Sequence, residues 1–217
     1  MSTAKNEQAL QARATDRMIL FSDAVVAIAI TLLALELPVP AGRDVSAFWR
    51  SARENDGHYL AFLISFAVIA ASWSQHHRVF STVKLVDPRV RLINLFWLLM
   101  IVLNPFATKL LTTEGHGTVA THALRFGFYS LLQVLASGAL IAMSRHLAAH
   151  HLLDPGSPAP SATLRGERLY GTVLGFGLSI PVFFATTYAW VLWIVVPLLA
   201  ERLPLRTRPP ENGSPDA

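Results

Sequence analysis

Apolar residues run along this chain in blocks of membrane-crossing length, separated by short stretches that hold nearly all the charge. The blocks fall at about 18–38, 58–76, 92–112, 122–143, 168–184 and 186–201. A bilayer core about 30 Å thick takes roughly 20 residues of helix, so each of the first four blocks predicts one crossing. From Leu169 to Ala200 the apolar character is nearly continuous, too long for one comfortable span and short for two. Splitting it near Thr186–Thr187, after Pro181, gives an all-α integral membrane bundle of six transmembrane helices. The domain reading is a cytoplasmic N-terminal segment over 1–17, a six-helix transmembrane domain over 18–203, and a disordered cytoplasmic tail over 204–217. The stretch Asp154–Ser161, DPGSPAPS, predicts a flexible loop between helices 4 and 5. No internal repeat is visible, so any symmetry the function needs comes from oligomers.

Composition agrees with a chain built for lipid: 53% of the 217 residues are apolar and 15% charged, with a positive mean hydropathy. Cysteine is absent, which excludes disulfides, zinc thiolate sites and thiol catalysis. A net charge of +4 could suit nucleic acid, but the basic residues sit in the gaps between apolar runs rather than on one soluble face, and no nucleic-acid partner is expected. Their distribution orients the chain instead. Lys5, Arg13, Arg17, Arg78, Lys84, Arg89, Arg91, Arg145, Arg165, Arg168, Arg202, Arg206 and Arg208 fall on one side of the predicted bundle. Arg43, Arg50, Arg53, Lys109 and Arg125 fall on the other. The positive-inside bias predicts a multi-pass protein of the cell membrane with both termini cytoplasmic. A leader peptide is the rival reading of the first block, but Asp23 at its start and Glu36 at its end are charges that a discarded leader has no reason to carry.

A carboxylate inside a membrane segment is costly unless paired or solvated, so Asp23 is the first candidate for chemistry. Arg17 precedes it by six residues, about 120° away around a helix, so the partner is expected from another helix. The end of helix 2 and the start of helix 3 lie at the same depth and carry Trp73, His76, His77, Arg78 and Asn94. A polar cluster of Ser22, Asp23, His77 and Asn94, with Trp73 one turn deeper, would satisfy buried donors and acceptors between helices, first of all as a scaffold fixing helix 1. Ile28, Thr31, Leu32 and Leu35 follow i, i+3, i+4, i+7 spacing and form one stripe of helix 1, which suits either helix packing or lipid. Ala24, Ala27 and Thr31 make a small-residue contact face. Thr172–Gly177, TVLGFG, has an inserted leucine and no framing pore helix, and reads as helix packing rather than an ion filter. His76 and His77 point about 100° apart on a helix and do not make a metal site. With no nucleophile elbow or zincin motif, neither an enzyme nor a cofactor is expected.

Three stretches in order, Arg17-x-x-x-Phe21-Ser22-Asp23 followed by AVVAIAITLL, SFAVIAASWSQHHRVF and LINLFWLLMIVLNPFATKLL, resemble the signature of the transmembrane protein 175 family of lysosomal potassium channels and their prokaryotic relatives. The resemblance covers roughly residues 17–112. It implies a six-helix subunit that assembles as a homotetramer, with helix 1 of each copy lining a central pore and potassium as the permeating ion. It places the narrow apolar ring on Ile28, a hydroxyl layer on Thr31 and further lining near Leu32 and Leu35. The family's polar network maps to Arg17, Ser22, Asp23, Trp73, His77 and Asn94, and Ala27 stands where some members carry a hydroxyl. Glu36 would sit at the outer mouth, concentrating cations or simply ending the helix at the interface. The expected function is a potassium-preferring cation channel with a hydrophobic constriction. The alternative is a proton-coupled secondary cation transporter using Asp23 and His77.

Overall fold

The computed structural model describes residues 2–113, 118–153, 167–186 and 188–202; the Asp154–Ser161 loop and the 204–217 tail of the sequence reading lie outside them. Helix α1 runs Ser2–Leu35, so most of the segment read as a separate N-terminal piece continues the first span as one helix of 34 residues. It stops ahead of Pro38 and Pro40, which cannot continue its hydrogen bonds. A short helix, α2 (Val45–Glu54), follows, and Asp44 caps it by accepting the Ala47 N–H at 2.8 Å. It is too short and too charged to stand out as an apolar block between the first two. Helix α3 (Asp56–Phe80) returns across the bundle.

The third span is broken. Helix α4 (Pro88–Val102) gives way at Leu103 to α5 (Asn104–Thr112), because Pro105 brings no N–H to the ladder. Asn104 offsets the break by donating its side-chain Nδ2 to the Met100 carbonyl at 2.9 Å. Helix α6 (Val119–Ala149) packs against α3, α4, α5 and the next helix, α7 (Glu167–Val182). A 3-10 turn over Ala189–Val191 leads into α8 (Leu192–Arg202).

Among the described residues four helical stretches are long and apolar enough to cross a membrane: Arg13–Leu35, Asp56–Phe80, Pro88–Thr112 and Val119–Ala149. The final apolar run is indeed divided, but into helices of 16 and 11 residues, shorter than the first four spans. Its break takes in Phe183–Thr186 and Tyr188, a wider gap than a split at one dipeptide.

Large side chains from several helices fill the core: Leu33 of α1, Ile69 of α3, Trp97 and Ile101 of α4, Tyr129 and Leu140 of α6, Phe176 of α7. Trp193 of α8 lies 4.9 Å from Phe126, 4.9 Å from Tyr129 and 5.0 Å from Phe176, ring to ring, and locks the terminal hairpin to α6. Its indole N–H donates to Ser179 at 2.8 Å, so its own buried donor is met.

That hairpin depends on glycine. A Cβ on Gly175 would sit 2.7 Å from the Leu192 carbonyl oxygen, and one on Gly171 would sit 2.6 Å from Ala200 Cβ and 3.0 Å from Pro197 Cα. The close approach is the small-residue packing that membrane helices use in place of a hydrophobic drive. Gly175→Ala is expected to lower stability by about 1–3 kcal/mol through overpacking against backbone, read as a lower melting temperature of the purified protein. Gly177→Ala, whose added Cβ meets nothing within 4 Å, is the matched control and should melt like the parent.

At the opposite end of α6, Val83 and Leu153 form an isolated antiparallel bridge, and Lys84 N–H donates to Leu152 O at 2.9 Å. Asp87 caps α4 through the Val90 N–H at 2.7 Å and meets His146 Nε2 at 2.6 Å. Burial works to raise the Asp87 pKa, but these hydrogen bonds and the nearby histidines override it, and the carboxyl titrates below its ordinary range.

Candidate functional site

Helix α1 has two unlike faces. Ser22, Val26, Ala29 and Leu33 recur at helical spacing and are buried against the rest of the chain. The stripe of Ile28, Thr31, Leu32 and Leu35 points the other way: Ile28 is 58% exposed, Leu32 45% and Leu35 80%. Ala24 and Ala27 lie exposed on the same helix. The single subunit therefore leaves the whole stripe free for lipid or for other copies. The Thr31 hydroxyl donates to the Ile28 carbonyl of its own helix at 2.8 Å, a turn before it.

The buried face is fixed by hydrogen bonds whose direction can be followed from one end. Ser22 Oγ donates to Met18 O at 2.9 Å, so it must accept from Asn94 Nδ2 at 3.0 Å. The Asn94 amide oxygen then faces His76 Nε2 at 2.7 Å and leaves that nitrogen to be the donor. His76 is stacked between Trp97, 4.1 Å between centroids, and Phe80, 4.4 Å. Trp97 in turn donates its indole N–H to Ser72 at 3.1 Å. Helices α1, α3 and α4 are thus joined through buried polar groups that are each satisfied.

Asp23 belongs to a second, more open pair, accepting from Trp73 Nε1 at 2.8 Å. The histidine of the buried chain is His76; its neighbour His77 is exposed and, among the described residues, meets the Trp73 ring, 5.8 Å between centroids. Arg17 is exposed, and among the described residues no hydrogen bond or ion pair joins it to Asp23. The structure thus brings Ser22 to Asn94 and Asp23 to Trp73, as two pairs rather than one cluster. At the other end of α1, Glu36 pairs with Lys109 of α5 at 2.8 Å, both partly exposed, so its charge is largely offset.

A deeper polar layer escaped the sequence reading. Asn104 Oδ1 accepts from Gln133 Nε2 at 2.6 Å, Thr108 Oγ1 lies 2.8 Å from Ser65 Oγ, and Ser65 donates to Tyr129 OH at 3.1 Å. These buried groups bind α3, α5 and α6 together. The signal was present as Asn104 and Gln133 in the midst of long apolar runs, where an amide needs a partner.

Residues 17–105, which carry the stripe and the Ser22–Asn94–His76 and Asp23–Trp73 contacts, match the family model for the endosomal/lysosomal potassium channel TMEM175. A Streptomyces collinus protein named a potassium channel is 35% identical over 167 residues, covering 76% of this chain and 81% of that one. The chain belongs to the TMEM175 family. A solved Chamaesiphon minutus homologue of the lysosomal potassium-selective channel TMEM175 superposes with a TM-score of 0.67 at 27% identity, covering 88% of this chain and 96% of that chain. The human relative, named an endosomal/lysosomal proton channel TMEM175, is 27% identical over 194 residues, 85% of this chain and 37% of the human one. Family membership together with the long apolar helices makes this a multi-pass membrane protein. The Chamaesiphon superposition covers more of the chain than the 17–105 family match does.

Proposed function

We propose that this protein is a cation channel that prefers potassium, built from four copies with the α1 stripe of each turned toward a central pore. The observation that carries the reading is the asymmetry of α1: one face is sealed into the subunit by hydrogen bonds and apolar packing, and the other bears Ile28, Thr31, Leu32 and Leu35 with no cover of its own. The names of the TMEM175 relatives as potassium channels support it. The α7–α8 hairpin supplies the fifth and sixth crossings, so both termini lie on the cytoplasmic side of the cell membrane and Glu36 on the outer side.

On this reading four Ile28 side chains form an apolar neck that excludes water, and a passing ion sheds part of its hydration there. Potassium holds its water less tightly than sodium and is penalised less. Four Thr31 oxygens one turn further out replace some of the lost ligands. Because Lys109 offsets Glu36, the outer mouth draws cations only weakly, and selection rests on the neck. The proton-coupled transporter is the weaker alternative: Asp23 accepts from an indole N–H that has no second proton to relay, and the contact of His77 among the described residues is with that same ring.

The test is the reversal potential of the purified protein in planar bilayers with potassium on one side and sodium on the other. A shift toward the potassium equilibrium potential is expected. No steady current from protein shown to be folded and inserted would overturn the channel and return attention to coupled transport.

A further inference from the structure

Helix α2 has no buried residue, yet it is strongly amphipathic. Val45, Phe48, Trp49 and Ala52 recur at i, i+3, i+4, i+7 and form a stripe in which Val45 is 74%, Phe48 42% and Trp49 56% exposed. Arg53 flanks that stripe about 90° from its centre, Arg50 and Glu54 lie farther round toward the opposite face, and Arg43 precedes the helix, so over 43–54 three arginines stand against Asp44 and Glu54. The Asp44 carboxylate accepts from the Ser46 hydroxyl at 2.6 Å and the Ala47 N–H, which fixes it at the start of the helix beside Arg43 with its negative charge retained.

The helix is also held in place. Tyr59 OH of α3 donates to Pro38 O at 2.9 Å, and the Ala41 N–H donates to Ser51 Oγ of α2 at 3.1 Å. Gly42 lies so close to the backbone of Phe48 that any Cβ there would collide with it. The 36–44 connection is therefore folded onto α2, and α2 is fixed where the first span ends and the second begins. In a multi-pass protein that level is the lipid headgroup region.

We propose that α2 is an interfacial helix that sinks the Phe48–Trp49 side into the headgroup boundary and binds anionic phospholipid through Arg50 and Arg53, with Arg43 alongside. An aromatic stripe with basic flanks, fixed at the water–lipid boundary, matches the chemistry of a phosphate-bearing lipid surface. The inference rests on the membrane placement of the chain and not on what it conducts.

The experiment reads Trp49 emission from the full-length protein in phosphatidylcholine vesicles, as the difference between the parent and Trp49→Phe, with brominated phosphatidylglycerol or brominated phosphatidylcholine as the quencher. Both quenchers are expected to act, with the anionic lipid favoured by about fivefold or more. Arg50→Gln with Arg53→Gln should abolish that preference while leaving quenching by phosphatidylcholine, and Arg50→Lys with Arg53→Lys should restore it. Trp49 left unquenched by either lipid would overturn the interfacial placement, as would a cross-link joining Trp49-side residues of two copies. Equal quenching by the two lipids in the parent would overturn the anionic site.

Discussion

Replacing Ile28 by asparagine is expected to raise single-channel potassium conductance by about tenfold and to bring the sodium and potassium permeabilities together. In a fourfold neck the substitution exchanges four branched hydrocarbon side chains for four amides, each able to keep water in the constriction. Lowering the barrier to a hydrated ion by only about 1.4 kcal/mol accounts for a tenfold change in rate. The same change removes the requirement that an ion lose water, which is the step at which potassium and sodium differ. Ile28 is 58% exposed in the subunit and contributes little to its internal packing, so the variant should melt within about 0.5 kcal/mol of the parent. Single-channel recordings under symmetrical and bi-ionic conditions check both parts. Unchanged conductance and selectivity would remove Ile28 from the neck.

The second large effect concerns stability. Asn94→Ala should destabilise the protein by about 2–3 kcal/mol, since it removes two buried hydrogen bonds and leaves the His76 donor without its acceptor in a dry interior. His77→Ala, at an exposed position whose described contact is the tilted Trp73 ring, should cost less than about 0.5 kcal/mol. Thermal melts of the two variants in the same detergent decide between neighbouring histidines. If His77→Ala were the costly change and Asn94→Ala the neutral one, the polar chain would run through residue 77, as the sequence had suggested.

The histidine pair shows where reading a sequence stops. Depth along the membrane could be worked out from span order, and it correctly brought α3 and α4 to the level of Ser22 and Asp23. Rotation about a helix axis could not, because α3 is apolar on most of its circumference and its periodicity does not say which face turns inward. One residue of register, about 100°, moves the buried role from His77 to His76. The partner of Asp23 was legible only in part: a carboxylate in a span demands a donor, which set it among Ser22, His77 and Asn94, whereas the donor it finds is Trp73, placed one turn deeper.

The first four spans were readable from apolar length alone, since lipid enforces it. Helix α2 was not, because ten residues with two arginines score as a loop on any hydropathy scale; its signal was the aromatic stripe at helical spacing. The Asn104–Gln133 layer was missed because the search for partners was confined to the depth of Asp23, although each amide stands alone in an apolar run and asks the same question.

The hydrogen bond from Thr31 to the Ile28 carbonyl has a consequence for the sign of the charge that can pass. It turns the hydroxyl proton back onto the helix and leaves only lone pairs facing outward. In a pore lined by four such residues, every oxygen at that level presents the negative end of its dipole and none can donate to chloride. Anions would be refused by oriented dipoles alone, without a ring of fixed acidic groups, and the refusal would not fade when such groups are protonated.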